Sequence, residues 1–143
     1  MDAAPPFPPH IMQCVQKAVE TYKAPKIILL SILKVEAGQD GTASKNKNGT
    51  YDYGRAQINT IWIKKMENEH GIHQARELVQ HNACYNIHTS AWILKQELKD
   101  ATVNHPDFWR RVGNYHSRTK RLNERYQSLV YKAMLKIQKT KWK

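Results

Sequence analysis

Apolar side chains recur at intervals of three and four residues along most of the chain, and this periodicity predicts a mainly α-helical fold. The first helix is predicted from about His10 to Lys23. The second, from Pro25 to Gly38, is the most apolar segment, and its apolar residues cover most of the helix circumference: Ile27, Ile28, Leu29, Leu30, Ile32, Leu33 and Val35. A helix that is apolar on most sides is buried. We therefore expect Glu36 at the carboxyl end of a central, buried helix.

The ends of this second helix are marked by a proline and a glycine. Pro25 is expected at the first helical position, and Gly38 is expected to adopt the left-handed conformation that ends a helix. Further along, Asn48 and Gly49 favour the tight turn of a small hairpin, which we expect to fold over the end of the second helix as a wall beside Glu36.

Five more helices and an amino-terminal arm complete the predicted organisation. Thr60 is expected to cap the third helix. The predicted ranges are Thr60–Gly71, Ile72–His81, Asn82–Ala101, Pro106–Gly113 and Thr119–Thr140. Residues 1–9 contain four prolines and are predicted to form an extended arm, and residues 10–143 are predicted to form a single domain.

Composition narrows the class of protein and of partner. The 143 residues include 23 Lys and Arg against 12 Asp and Glu, a net charge of +11 that favours polyanionic partners such as nucleic acid, anionic lipid or acidic wall polymers. No apolar run approaches the length that spans a bilayer, and no signal peptide is visible at the proline-rich start. Cys14 and Cys84 fit no zinc pattern, and form either one disulfide or two free buried thiols.

Glu36 is the first candidate for chemistry. Partial burial and the negative end of the helix dipole both disfavour the charged carboxylate, so the pKa of Glu36 is expected to rise. A carboxyl group that stays protonated near neutral pH is suited to protonate a glycosidic oxygen. The alternative is an ordinary helix-end acid that points into water or pairs with Lys34 or Lys26.

Four further features follow Glu36 in a characteristic order. They are the polar Asn-Gly loop, Gly54-x-x-Gln57-Ile58-Asn59, Cys84-x-Asn86-Ile87 and Gly113-Asn114-Tyr115-His116-Ser117. From about Ile27 to Tyr131 the sequence resembles the soluble lytic transglycosylase family, in particular the small members that accompany conjugation, type IV pilus and secretion machines. The resemblance implies a mainly helical, lysozyme-like domain that is located in the periplasm or cell envelope and works as a monomer without metal or cofactor.

The resemblance also implies a reaction and a set of site residues. Such enzymes cleave the β-1,4 bond between N-acetylmuramic acid and N-acetylglucosamine in peptidoglycan and leave a 1,6-anhydromuramic end. Glu36 aligns with the sole catalytic acid and base. The residues implied to contact substrate are Gln57, Tyr115, Ser44, Gly54, Asn59 and Tyr53, and Asn86 is implied to be a structural cap or brace. The extracytoplasmic setting favours a disulfide between Cys14 and Cys84.

Other readings of the sequence remain open. Asp52 is a nearby acid that could supply a second catalytic carboxylate, and the protein would then be a hydrolytic lysozyme. The simpler interpretation is that Asp52 is a turn residue hydrogen-bonded to its own loop. A nucleic-acid-binding accessory module is suggested by the basic final third with its interleaved aromatic residues, but most of those lie at core spacing. A scaffold that binds glycan without cutting it is a third possibility.

Overall fold

Seven α-helices and one small sheet make up residues 4–140, the part of the chain that this computed structural model describes. The helices are α1 (Pro9–Tyr22), α2 (Lys26–Glu36), α3 (Thr60–His70), α4 (Ala75–His81), α5 (Ala83–Leu98), α6 (Phe108–Asn114) and α7 (Lys120–Lys139). The strands are β1 (Ala43–Lys45), β2 (Tyr51–Tyr53) and β3 (Ile58–Asn59). The predicted mainly helical architecture with a small β element is confirmed. Residues 1–3 of the predicted arm lie outside this range. Residues 141–143 of the predicted domain also lie outside it.

The central helix is α2, as predicted. Residues 28–33 are buried, and the helix packs chiefly against α7 and α1. The predicted positions of both helix ends are wrong by one residue. Pro25 takes the capping position before the helix, and Ala37 adopts the left-handed conformation, with its amide bonded to the carbonyl of Leu33.

Gly38 is needed for a different reason from the one predicted. A side chain at this position would collide with the carbonyl oxygen of Gly54 and would lie 2.7 Å from Nε2 of Gln57. The amide of Gly38 donates a hydrogen bond to the carbonyl of Arg55 at 3.0 Å. The missing side chain therefore lets the segment after α2 lie directly against the segment before β3.

The predicted hairpin is part of a three-stranded antiparallel sheet in the order β1-β2-β3. Asn48 and Gly49 lie in the β1–β2 connection, where Gly49 has a φ of 85° and the Asn48 side chain accepts a bond from the amide of Thr50. Strand β3 was not predicted, because two residues carry no detectable alternation. The predicted cap of α3 is also wrong: Asn59, not Thr60, accepts the hydrogen bond from the amide of Ile61.

A disulfide joins the first helix to the start of the fifth. Cys14 on α1 and Cys84 on α5 are bonded, with their Cα atoms 5.1 Å apart, and the two helices pack along each other. Of the two alternatives that the sequence left open, the structure has the bridge. Among residues 4–140 there is no helix whose length and apolar character would suffice to cross a bilayer.

The remaining helix boundaries differ from the predicted ones by a few residues. Gly113 lies inside α6 instead of ending it. A glycine is needed here because a side chain would collide with the side chain of Asn123 on α7. Asn123 also donates to the carbonyl oxygens of Arg110 and Ser117, and to the side-chain oxygen of Asn114. The α6–α7 connection is therefore fixed by a buried amide.

Candidate active site

A cavity of about 580 Å³ lies where the end of α2 meets the sheet, α3, α5 and the connection between α6 and α7. The carboxyl group of Glu36 lines it, together with amide, hydroxyl and aromatic side chains. Among the lining residues are Asn46, Asp52, Gln57, Asn59, Trp62, Tyr115 and His116. The structure thus brings Glu36 together with residues from three of the four features that follow it in the sequence. We call this space the Glu36 cleft.

Glu36 is half-buried, and its position perturbs its acidity. The pKa of the carboxyl group is raised to about 7, chiefly by burial; a hydrogen bond from Tyr126 opposes this rise, and the charge of Asp52 adds a smaller part of it. The expected rise in pKa is therefore present. A group with this pKa is partly protonated and partly ionised at neutral pH, so it can both donate and accept a proton.

The hydroxyl group of Tyr126 orients this carboxyl group. It donates to Oε2 of Glu36 at 2.6 Å, and its own pKa is raised well above 10 by burial, so it remains a donor at neutral pH. Within residues 4–140, no second hydrogen bond to the carboxyl group of Glu36 is present. Oε1 is consequently the oxygen available to carry a proton to a ligand in the cleft.

Three rings stack beside Glu36. Tyr115 lies parallel to Tyr126 with ring centroids 6.2 Å apart, and the ring of His116 covers Tyr126 at 4.9 Å. The hydroxyl groups of Tyr115 and Ser90 are hydrogen-bonded at 2.7 Å. Burial, and then the charge of Glu36, raises the pKa of Tyr115. Tyr115 is thus a neutral wall of the cleft close to Glu36.

Asp52 enters the cleft from the middle of the sheet. It lies directly opposite Asn59 across the β2–β3 pair, and the Asn59 side chain donates to Oδ1 of Asp52 at 2.9 Å. Asn59 also donates to the hydroxyl of Thr50 at 3.1 Å and caps α3. Asp52 is thus held by a neighbouring strand, and is more than a turn residue bonded to its own loop. Asn59 lines the cleft mainly as the side chain that positions Asp52.

Gln57 lines the cleft, whereas Gly54 does not. Nε2 of Gln57 donates to the carbonyl of Gly54 at 3.0 Å, and Gln57 itself has a left-handed φ of 53°. The space that a side chain would take at Gly54 is filled by the side-chain amide of Asn86. The absence of a side chain at Gly54 therefore makes room for Asn86, and the predicted contact of Gly54 with substrate stays a prediction.

Asn86 braces the segment that carries Gln57. It is buried, its Oδ1 accepts from the amide of Ala56 at 2.8 Å, and its Nδ2 donates to the carbonyl oxygens of Tyr53 and Val79 at 2.8 and 3.0 Å. A buried polar side chain with all these bonds made fixes the backbone around it. Asn86 has the geometry of a brace, which is the role that the resemblance implied.

Two predicted substrate contacts lie outside the cleft lining. Ser44 is exposed on β1 directly opposite Asp52, so its side chain is on the same face of the sheet but one strand further out. Tyr53 is buried, because side chains alternate along β2 and this one faces the core. Neither residue lines the Glu36 cleft.

A second buried carboxylate lines the cleft on the α5 side. Glu97 is 9% exposed, and its Oε1 forms an ion pair with Nη2 of Arg118 at 2.6 Å. Burial raises the pKa of Glu97, and the charge and hydrogen bond of Arg118 lower it. Lys65 lines the same end of the cleft and also lowers the pKa of Glu97.

Sequence reasoning missed Tyr126 and Glu97 as members of the site. Both residues are buried on amphipathic helices, Tyr126 on α7 and Glu97 on α5, in positions typical of core residues. The available signal was polarity, since a buried tyrosine hydroxyl or a buried carboxylate requires a partner. Among residues 4–140, no three His, Cys, Asp or Glu side chains come together as a metal site would require.

Two curated proteins are similar to the chain over most of its length. It is 31% identical to Protein IpgF of Shigella flexneri, across 92% of this chain and 86% of that protein. It is also 31% identical to Protein IpgF of Shigella sonnei, across 87% of this chain and 80% of that protein. No protein-family model matches the sequence. Because the similarity at this level of identity covers most of both chains, the protein belongs to the IpgF family.

Proposed function

We propose that the protein is a peptidoglycan lytic transglycosylase with a lysozyme-like fold, and that Glu36 is its catalytic acid and base. The observation that carries the proposal is a half-buried carboxyl group with a pKa of about 7, bonded by Tyr126 through one oxygen and left open at the other, at the edge of a polar and aromatic cleft. Polar groups and rings of this kind suit a sugar chain.

The reaction follows from the two protonation states of Glu36. The protonated carboxyl group gives its proton to the glycosidic oxygen as the bond from that oxygen to C1 of the muramic acid residue breaks. The acetamido group of the same sugar stabilises the positive charge that develops at C1. The carboxylate then removes the proton of the 6-hydroxyl group as that oxygen bonds to C1. The anhydro ring closes, Glu36 is protonated again, and no water is consumed.

The biological setting is part of the proposal. The resemblance to small transglycosylases of conjugation, pilus and secretion machines, together with the membership of the IpgF family, supports a protein of the periplasm or cell envelope that opens the wall for an envelope-spanning apparatus. The net charge of +11 suits attraction to an anionic wall. The disulfide between Cys14 and Cys84 suits an oxidising compartment.

The test is digestion of purified peptidoglycan, followed by mass spectrometry of the soluble fragments. The wild-type protein is expected to release fragments that are lighter by one water than hydrolytic products. Glu36→Gln keeps the shape of the side chain and is expected to release none. Glu67→Gln makes the same chemical change at an exposed position of α3 and serves as the matched control. Full activity of folded Glu36→Gln would refute the assignment.

A hydrolytic lysozyme is the second candidate, because Asp52 lines the same cleft and its charge acts on Glu36. A second carboxylate across the sugar from the acid either activates a water molecule or bonds to the sugar itself. The two candidates differ in the product, since hydrolysis leaves a reducing end that carries the added water. Reducing-end fragments that disappear in Asp52→Asn would establish the lysozyme mechanism.

A further inference from the structure

A second cavity, of about 940 Å³, lies between α6 and α7 and adjoins the Glu36 cleft. Asn114 and Arg118, in the connection between these helices, line both spaces. The two spaces therefore meet at this connection. We call the second cavity the α6–α7 groove.

Two aromatic rings form the apolar part of the groove. Trp109 on α6 and Tyr131 on α7 meet edge to face with centroids 5.4 Å apart. Tyr131 is 47% exposed, so part of its ring faces the groove and solvent. Because Trp109 packs against the core and Tyr131 packs on Trp109, the pair offers aromatic contact area to a ligand at low cost in conformational entropy.

The charged part of the groove is mainly positive. Arg110, Arg118 and Lys120 line it against the carboxylate of Glu124. Arg118 is committed to the buried Glu97 by a 2.6 Å ion pair.

The other two cations have only weak partners. Arg110 lies 3.2 Å from Asp107 and Lys120 lies 3.7 Å from Glu124, and all four side chains are about half exposed or more. Exposed pairs of this kind contribute little, so both cations remain available to a ligand.

We propose that the α6–α7 groove binds the stem peptide attached to the muramic acid residues of the glycan strand, with Arg110 and Lys120 facing its carboxylates and the Trp109–Tyr131 pair facing its apolar side chains. The proposal rests on the proposed function for the identity of the glycan. It assigns the protein a preference for peptide-bearing strands over bare ones.

Charge distinguishes the peptide from more glycan as the occupant. The N-acetylated sugars of the strand are neutral apart from the lactyl group, which is amide-linked where a peptide is attached, so they gain nothing from two cations. The free carboxylates of a stem peptide gain attraction at both positions, and this attraction weakens as salt screens it. Because Asn114 and Arg118 line both cavities, a peptide that branches from a sugar in the cleft can enter the groove directly.

The experiment compares the binding of two tetrasaccharides, one with its stem peptides and one from which an amidase has removed them. Binding is measured by calorimetry with Glu36→Gln protein so that neither fragment is cleaved. Arg110→Glu and Lys120→Glu are made in that background, with Lys132→Glu as a matched charge reversal at an exposed position of α7 outside the groove. Thermal melting of each variant checks that it is folded.

The peptide-bearing fragment is expected to bind roughly five- to tenfold more tightly than the bare one at low salt. This advantage should be lost in Arg110→Glu and Lys120→Glu and retained in Lys132→Glu. Equal binding of the two fragments, or no binding of either, would overturn the proposal. So would an advantage that survives both groove variants. Weaker binding of the bare fragment in these variants would show that the groove extends the glycan site, which also overturns it.

The outcome is separable from that of the proposed function, because cleavage is measured with wild-type protein and binding with Glu36→Gln. A protein that cleaves peptidoglycan but binds both fragments equally keeps its enzymatic assignment and loses the peptide site. A protein that binds the peptide-bearing fragment more tightly but releases no fragments from peptidoglycan loses the enzymatic assignment and keeps the peptide site.

Discussion

Replacing Glu36 by glutamine is expected to stabilise the protein at alkaline pH. The pKa of Glu36 is about 7 in the folded protein against 4.5 for an ordinary glutamate. Because the folded state holds this proton more tightly than the unfolded state, stability falls as the pH rises from about 4.5 to about 7, and the loss is complete above that range. At about 1.4 kcal/mol per pH unit, the carboxylate costs about 3 kcal/mol of folding free energy at pH 8.5.

Glutamine removes this cost and keeps the local contacts. Its side chain has the same shape as glutamate, and its amide oxygen can accept the hydrogen bond that the Tyr126 hydroxyl now gives to Oε2 of Glu36. At pH 4 the wild-type carboxyl group is neutral in the folded state and largely neutral in the unfolded state. The two proteins are therefore expected to have similar stability at pH 4, and to differ by about 3 kcal/mol at pH 8.5.

The assay is urea denaturation of both proteins at several pH values between 4 and 8.5. The quantity of interest is the difference in unfolding free energy between them, because contributions from other titrating groups cancel in it. Glu67→Gln makes the same chemical change on the exposed side of α3, away from the cleft, and is the matched control. A difference between wild type and Glu36→Gln that is constant across this range would refute the argument that burial raises the pKa of Glu36.

Three other substitutions probe the same structure. Tyr126→Phe removes the hydrogen bond that lowers the pKa of Glu36, so the alkaline limb of the pH profile of peptidoglycan cleavage should move to higher pH; an unchanged profile contradicts this. Asp52→Asn removes a charge that raises the same pKa, and the limb should move to lower pH, with the Glu36 carboxyl signal in an NMR titration as a direct check. Replacing Cys14 and Cys84 by serine opens a loop of 70 residues and should cost roughly 4 kcal/mol by urea denaturation, whereas a loss below about 1 kcal/mol would show that the bridge constrains little.

Sequence periodicity predicted the elements whose pattern of apolar residues is complete within the element itself. Helix α2 is apolar on most sides within eleven residues, and this alone placed it in the core with Glu36 at its end. Short or irregular features lacked such a signal. Strand β3 has only two residues. The left-handed residue that ends α2 is Ala37, whereas the sequence predicts Gly38 in that role. Contacts through Gly38, not its own backbone angles, account for that glycine.

The site was predictable as far as its residues belong to recognised motifs. Gln57 and Tyr115 each belong to such a motif, and both line the Glu36 cleft. Tyr126 is separated from Glu36 by 90 residues, and its partner is set by how α7 packs on α2, which no local pattern encodes. Gly54 does not line the cleft, and the sequence does not show that Asn86 fills the space beside it.

The hydrogen bonds of Asn86 have a consequence for how the cleft moves. The amide proton of Ala56 is directed at a side chain rooted in helix α5, and both partners are buried. It can exchange with solvent deuterium only when the segment that carries Gln57 separates from that helix, an opening that also breaks the bond from Asn86 to the carbonyl group of Tyr53. This single amide should therefore exchange as slowly as the slowest amides of α5. The cleft wall that bears Gln57 thus behaves as part of the helical core on the exchange timescale, and a ligand meets it already formed.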